Sequence, residues 1–260
     1  MPFRTILLKG QPLASGRMPA VCAPLVAATH AALLAEARIV VARQPDLLEW
    51  RVDFFRAAGD TTAVLAAARE LREVAGGIPI LFTRRAEREG GQPMAVDEAA
   101  VVALYEAVCD GGAADLVDFE MGNDASDLAR VRDAARTAGI ALVLSFHDFH
   151  RTPPVDALAA RFARAAQLGA DVAKLAVMPS SMEDVHALLG ATLQASRTLS
   201  IPVISMAMGP LGAVSRLCGG AFGSALTFAV GAAASAPGQM PIEDVRAGLA
   251  VLARAGAPAQ

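Results

Sequence analysis

Lys174 is one of only two lysines in the chain; with Lys9 set aside, every other one of the 23 basic residues is an arginine. It stands in the run Asp171-Val-Ala-Lys-Leu-Ala-Val-Met178. The period-two rule of a strand puts Val172, Lys174, Ala176 and Met178 on one face and Ala173, Leu175 and Val177 on the other. A guanidinium keeps its proton at ordinary pH, whereas an amine withdrawn from water can lose it. Free lysine titrates near ~10.4, so little is nucleophilic at neutrality. Burial or a neighbouring cation enlarges that fraction, and a neutral amine can attack a ketone to form an imine. The competing reading is a lysine that pairs with a carboxylate or reaches outward.

The run before it ends Ser145-Phe-His-Asp-Phe-His150. His147 falls at the carboxyl end of that strand, and adjacent strands are about 4.8 Å apart. A strand-end histidine beside an amine suits general acid–base work, since imidazole titrates near neutrality. A hydrogen-bonded structural histidine, or a His147–His150 metal pair, are the alternatives. His30 and His186 sit in helical patterns and read as structural.

Other polar residues recur where an ordinary core strand has none. Glu49, Arg51 and Asp53 alternate with Leu48, Trp50 and Val52, which suits either a polyhydroxylated substrate or an internal ion pair. Arg85 shares parity with Thr83 and Leu81, and Glu87, Glu89, Gly90 and Gly91 follow. Asp118 and Glu120 share a face. Arg216 is the only charged residue between Thr198 and Ile242, in a Gly-rich stretch that reads as loop. A lone cation there suits a carboxylate, with a surface arginine as the alternative. Ser235-Ala-Pro-Gly-Gln239 reads as a lid loop.

These residues need strands to hold them. Apolar runs predict strands at 20–26, 46–54, 79–85, 115–121, 141–148, 171–178, 202–208 and 225–231. Ala-rich segments of helical period fall at 29–42, 61–75, 97–109, 125–138, 155–168, 182–196 and 241–254. The seventh connection, 211–222, is shorter. Asp46, Asp115 and Asp171 stand at strand starts, and Gly139 and Gly169 mark helix ends. Eight parallel βα units of this length predict an α/β fold, a closed (β/α)8 TIM barrel, over residues 1–260 as one domain. The alternative is an open doubly wound sheet, but the first turn, Val26-Ala-Ala-Thr29, lacks the usual glycines. Before the first strand, FRTILLK, a turn with Gly10 and Pro12, and a return predict a short hairpin closing the bottom of the barrel.

Composition narrows the function. Of 260 residues, 54% are hydrophobic and 19% charged, with a net charge of −3, which excludes a disordered chain and offers no basic field for nucleic acid. The uncharged stretch Leu217–Ile242 is too rich in Gly, Ala and Ser, with Pro237 and Pro241, to expect a membrane span. Three cysteines without metal-like spacing predict a reducing compartment. MPFRTILLKGQP has no long apolar run, so the expectation is no signal peptide and a cytoplasmic protein.

The segments LLEWRVD (47–53), LFTRRAEREGG (81–91), VLSFHDFHRTP (143–153), VAKLAVMP (172–179), ISMAMGPLGAVSRLCGGAFGSALTF (204–228) and SAPGQMP (235–241) together resemble type I 3-dehydroquinate dehydratase, a shikimate-pathway lyase. They run in the family's order over almost the whole chain. The resemblance implies a (β/α)8 barrel and dehydration of 3-dehydroquinate to 3-dehydroshikimate, without metal or organic cofactor. It implies a Schiff base on Lys174, with His147 as proton shuttle and Glu89 positioning it. Arg216 would bind the substrate carboxylate, with Ser235 and Gln239 closing from the lid. Glu49, Arg51 and Arg85 would hold ring hydroxyls, and Met206, Met208 and Phe228 would pack on the ring. The family often forms homodimers, which sets the same expectation here. Pro24, where some members carry a polar residue, and Pro210, which stiffens the Met208–Gly212 turn, depart from the pattern. A class I aldolase would share Lys174 but not the EWR strand, Arg216 or Gln239. A non-catalytic sensor of quinate-like ligands would have no need of Lys174 and His147 together.

Overall fold

The structure, a computed structural model, describes residues 6–8, 10–13 and 18–255. Eight parallel strands alternate with helices: Ala20–Leu25 (β3), Leu47–Arg51 (β4), Ile80–Thr83 (β5), Leu116–Glu120 (β6), Ala141–Asp148 (β7), Val172–Val177 (β8), Val203–Ala207 (β9) and Leu226–Phe228 (β10). Two shorter strands, Ile6–Leu8 (β1) and Gln11–Leu13 (β2), precede them as an antiparallel pair. The large sheet runs β10-β3-β4-β5-β6-β7-β8-β9, each strand parallel to its neighbours. Its ends meet through a Val203–Ser224 bridge, where Ala225 N–H donates to the Val203 carbonyl at 2.8 Å. The Ser224 hydroxyl accepts from Ser205 N–H at 3.1 Å and donates to the Leu226 carbonyl. The fold is therefore a nearly closed (β/α)8 barrel, not an open doubly wound sheet.

The helices are His30–Ala42 (α1), Thr61–Ala75 (α2), Glu98–Asp110 (α3), Ala125–Ala138 (α4), Val155–Gln167 (α5), Met182–Thr198 (α6), Gly209–Cys218 (α7) and Ile242–Ala255 (α8). Asp60, Asp97 and Ser181 cap three of them by accepting a backbone N–H three residues on, an interaction that contributes ~1 kcal/mol each. Gly139, in the left-handed region at φ 71°, ends α4 where a Cβ would be strained. No helix among the described residues is long and apolar enough to cross a membrane. Leu217–Ile242 is divided among the end of α7, a 3₁₀ turn, β10 and a loop that leads into α8.

Strand parity sorts the core into two layers. Leu48, Trp50, Phe82, Val117, Phe119, Leu144 and Leu175 face the helices. There Trp50, Phe82, Tyr105 and Phe119 form a run of edge-to-face rings with centroids 5.2–5.7 Å apart. On the inner parity, Leu47, Leu81, Leu116, Val143, Val172, Ile204 and Leu226 make an apolar floor, and Leu13 of β2 is buried among them. The hairpin thus closes the bottom of the barrel. Its turn contains Gly10 at φ 80°, while Pro12 lies in β2 opposite Leu7 rather than in the turn. The remainder of the expected hairpin (1–5, 9 and 14–17) falls outside the described residues.

The aspartates at the strand starts stitch that end together. Asp46, Asp115 and Asp171 accept the backbone N–H of Val21, Ile80 and Leu142 at 2.8, 2.8 and 3.0 Å, each from the strand before. Two expectations are corrected. The strand expected over 46–54 stops at Arg51, and Val52–Phe54 turns into a 3₁₀ helix that takes Asp53 out of the alternation. The stretch expected as loop at 211–222 is helix α7 followed by the 3₁₀ turn Gly219–Phe222. Pro210 sits in α7's first turn, where the missing N–H costs nothing and the fixed φ favours the helix.

Candidate active site

Above the apolar floor the inner parity turns polar. Glu49, Thr83, Asp118, Ser145 and Lys174 form one layer, and Arg51, Arg85, Glu120 and His147 lie above it. A cleft opens at the carboxyl ends of the strands. Glu49, Arg51, Arg85, Glu89, His147, Lys174, Met206, Met208, Phe228, Ser235 and Gln239 all line it. Eleven of the twelve residues singled out from the sequence are therefore brought to one cleft, and Arg216 lies behind the loop that covers it.

Lys174 is 3% exposed. Its Nζ lies 2.8 Å from Asp118 Oδ2, 3.6 Å from Glu49 Oε1 and 4.6 Å from the centre of the Phe228 ring. The β7–β8 register sets Ser145 beside Lys174 and His147 beside Ala176, so His147 stands one layer above the amine on the neighbouring strand. Asp118, fully buried, gathers Lys174, Arg85 Nη2 at 2.8 Å and the Ser145 hydroxyl at 2.6 Å. Burial alone would raise the Asp118 carboxyl, but the Arg85 and Lys174 cations outweigh it and hold the group well below the usual carboxylate range. Burial likewise works against the Arg85 charge, and Asp118 and Glu120 overcome it, so Arg85 holds its proton more tightly than usual.

Glu89 reaches back from the 3₁₀ turn Glu87–Glu89 to β7. Its Oε2 accepts the His147 backbone N–H at 2.9 Å and lies 2.9 Å from ring Nδ1. With Nδ1 engaged, Nε2 is the nitrogen left to meet a substrate. Burial, helped by Arg85 and Lys174, pushes the imidazole well below its ordinary value, against the opposing charge of Asp118. Burial and the neighbouring Glu120 carboxylate push Glu89 up to about 7, with Arg85 opposing. Both shifts favour the uncharged forms of the two groups. His150 is exposed beyond the strand, its backbone N–H on Asp148. No cluster of three or more potential metal ligands occurs among the described residues.

Arg51 is gripped by Asp53, with Nε–Oδ1 and Nη2–Oδ2 both 2.8 Å. The internal ion pair and the cleft-lining position thus occur together. Arg85 spends donors on Asp118, Glu120 and Ser145 while also lining the cleft. Arg216 is 1% exposed, in α7 rather than in a loop. Its Nη2 donates to the Pro237 carbonyl at 3.0 Å, while Nε and Nη1 have no partner among the described residues. Burial brings this guanidinium down to about 10. Ser235 and Gln239 bond each other across the loop, Ser235 N–H to Gln239 Oε1 at 2.9 Å and Gln239 Nε2 to Ser235 Oγ at 3.2 Å. The loop passes over α7 at a glycine contact: Gly238, at φ 76°, packs so close to Gly209 that a Cβ would lie 2.3 Å from the Gly209 carbonyl oxygen.

Alternation puts Asp118 and Glu120 on one face but assigns Asp118 no role, and nothing in the sequence marks Ser145. Their significance depends on which strands are neighbours, which alternation along one strand does not reveal.

A buried lysine and a histidine–carboxylate pair at the strand ends of a (β/α)8 barrel, with an arginine that has no carboxylate partner among the described residues behind a covering loop, mark a barrel enzyme that acts on a small molecule. The type I 3-dehydroquinase family model matches residues 21–255. The 3-dehydroquinate dehydratase of Albidiferax ferrireducens is 56% identical over 246 residues, covering 95% of this chain and 93% of the relative. That of Geobacillus kaustophilus is 54% identical over 237 residues, covering 91% and 92%. A crystal structure of the Geobacillus kaustophilus HTA426 enzyme matches with a TM-score of 0.94 at 50% identity, over 98% of both chains. The type I enzyme from Clostridium difficile, solved with covalent modified comenic acid, matches with a TM-score of 0.93 at 33% identity, over 97% of this chain and 99% of that one. The chain belongs to the type I 3-dehydroquinase family.

Proposed function

We propose that the chain, acting as one barrel domain, dehydrates 3-dehydroquinate to 3-dehydroshikimate through an imine on Lys174. The observation that carries this is the amine and the imidazole on adjacent strands of one cleft, the imidazole turned by Glu89 so that Nε2 is free. Lys174 Nζ, as the neutral amine, adds to the substrate ketone, and loss of water gives the iminium. The iminium is a better electron sink than the ketone, so the α-proton becomes more acidic. His147 Nε2 takes that proton to leave the enamine, then returns a proton to the β-hydroxyl as it departs as water. Hydrolysis consumes the water released on imine formation and frees the amine, so one water is lost overall.

The surrounding groups supply binding. Arg216, buried with two nitrogens unpartnered among the described residues, takes the substrate carboxylate in a charge-assisted, bidentate contact. Arg51, Glu49 and Arg85 bond the ring hydroxyls, and Ser235 and Gln239 close over the ring. Met206, Met208 and Phe228 give it an apolar wall. The reading includes a cytoplasmic homodimer, and sedimentation of the purified chain tests its oligomeric part. Lys174→Ala and His147→Ala should each abolish turnover, followed by ultraviolet absorbance of the conjugated product, while circular dichroism stays native. Retained activity in either would remove the role assigned to that residue.

A further inference from the structure

Asp53 does not line the active-site cleft, and its side chain is fully buried. Yet its carboxylate accepts four hydrogen bonds. Two come from the Arg51 guanidinium, Nε to Oδ1 and Nη2 to Oδ2, both at 2.8 Å. The other two are backbone N–H groups, Arg85 N–H to Oδ1 at 3.3 Å and Gln92 N–H to Oδ2 at 3.0 Å. Arg85 and Gln92 are the two ends of the segment that carries Glu89. The segment is pinched shut between them: Gly91 N–H donates to Ala86 O at 3.0 Å, and a Cβ on Gly91 would lie 1.9 Å from the Arg85 carbonyl oxygen. One carboxylate therefore holds a cleft arginine and both feet of the loop that orients the histidine.

We propose that Asp53 is a positioning residue that couples substrate binding at Arg51 to proton transfer at His147. Each of its two oxygens takes one Arg51 nitrogen and one loop N–H. This geometry ties the direction of the guanidinium to the placement of Glu89. An Arg51 released from Asp53 would keep only the long Nη1 contact to the Ser235 carbonyl, at 3.5 Å, and would no longer present a fixed fork to a hydroxyl. A loop released from Asp53 would let Glu89 drift from His147, whose ring is fixed on that side by this carboxylate alone among the described residues. The two effects belong to different kinetic constants, the first to KM and the second to kcat.

The proposal rests on the dehydratase reading above, and the test separates the two. Wild-type turnover of 3-dehydroquinate is measured first, and its presence or absence bears on that reading alone. Kinetics are then taken for Arg51→Gln, Asp53→Asn, their double variant and Gln92→Pro, which deletes one loop N–H while leaving Arg51 and Asp53 in place. Arg51→Gln should raise KM by about tenfold or more with kcat little changed, as loss of a charge-assisted contact does. Asp53→Asn should raise KM and lower kcat together. In the Arg51→Gln background it should still lower kcat, without a further rise in KM. Gln92→Pro should lower kcat with KM near wild type.

A merely structural aspartate would lower thermal stability without producing this crossed pattern. A folded Asp53→Asn enzyme with kcat and KM like wild type would overturn the proposal, as would KM effects of Arg51→Gln and Asp53→Asn that simply multiply. Should Asp53→Asn fail to fold, Gln92→Pro decides: a fall in kcat supports the coupling, and an unchanged kcat overturns it.

Discussion

Replacing Arg216 by methionine should make the protein more stable and the enzyme far worse. The guanidinium is 1% exposed, has no carboxylate partner among the described residues and leaves Nε and Nη1 unbonded. Burial brings it down from 12.5 to about 10. At ~1.36 kcal/mol for each pH unit, the folded state carries about 3 kcal/mol of unfavourable charge burial at this site. Methionine fills similar volume without the charge. The variant loses the hydrogen bond to the Pro237 carbonyl, a contribution of about 1–2 kcal/mol, but that carbonyl still accepts from Gly209 N–H at 3.2 Å. The net expectation is a gain of about 1–2 kcal/mol, a rise of several degrees in Tm for a chain of this size. Binding moves the other way. Losing one partner of a buried, hydrogen-bonded charge pair costs about 2–5 kcal/mol, so kcat/KM should fall by about 30-fold to several thousand-fold. Calorimetry and steady-state kinetics on one preparation read both signs. A methionine variant that is less stable than wild type yet nearly as active would refute the reasoning, because Arg216 would then be structural.

Glu89→Gln should show a pH-dependent stability difference. The folded carboxyl titrates at about 7 against 4.5 for the free group, so the native state holds this proton more tightly than the unfolded chain does. Stability from this group is therefore lost as pH rises from 4.5 through 7. Relative to wild type, Glu89→Gln should be equal near pH 4 and about 3 kcal/mol more stable near pH 8, read by urea denaturation; a flat difference would contradict it. Gly238→Ala places a Cβ against the Gly209 carbonyl at a positive φ, so the loop must shift. KM should rise by about tenfold or more with kcat largely kept, and an unchanged KM would show that the loop does not need this contact.

Much of the site was legible because strand alternation sorts residues before any coordinates exist. Lys174, Glu49, Arg85 and His147 each occupy the inner parity that their spacing predicts, and a lysine in an arginine-rich chain draws notice. Alternation along one strand does not say what lies across the lumen. Asp118 became the partner of Lys174 only once the order β6-β7-β8 was known. Arg216 stands out in the sequence as a lone charge, but the glycines around it favour a loop and mask the signal that Pro210 gives for a first helical turn. Asp53 shared parity with Glu49 and Arg51, yet the chain leaves the strand at Val52. Two of its four donors are backbone N–H groups more than thirty residues away, and spacing carries no trace of them.

The central claim is that Lys174 becomes covalently joined to the substrate. Incubating the enzyme with 3-dehydroquinate, reducing with borohydride and mapping the peptides tests it directly. The account predicts one ligand adduct per chain, on Lys174, with loss of activity in proportion. Folded enzyme that turns over the substrate but carries no adduct, or carries it on another residue, would contradict it.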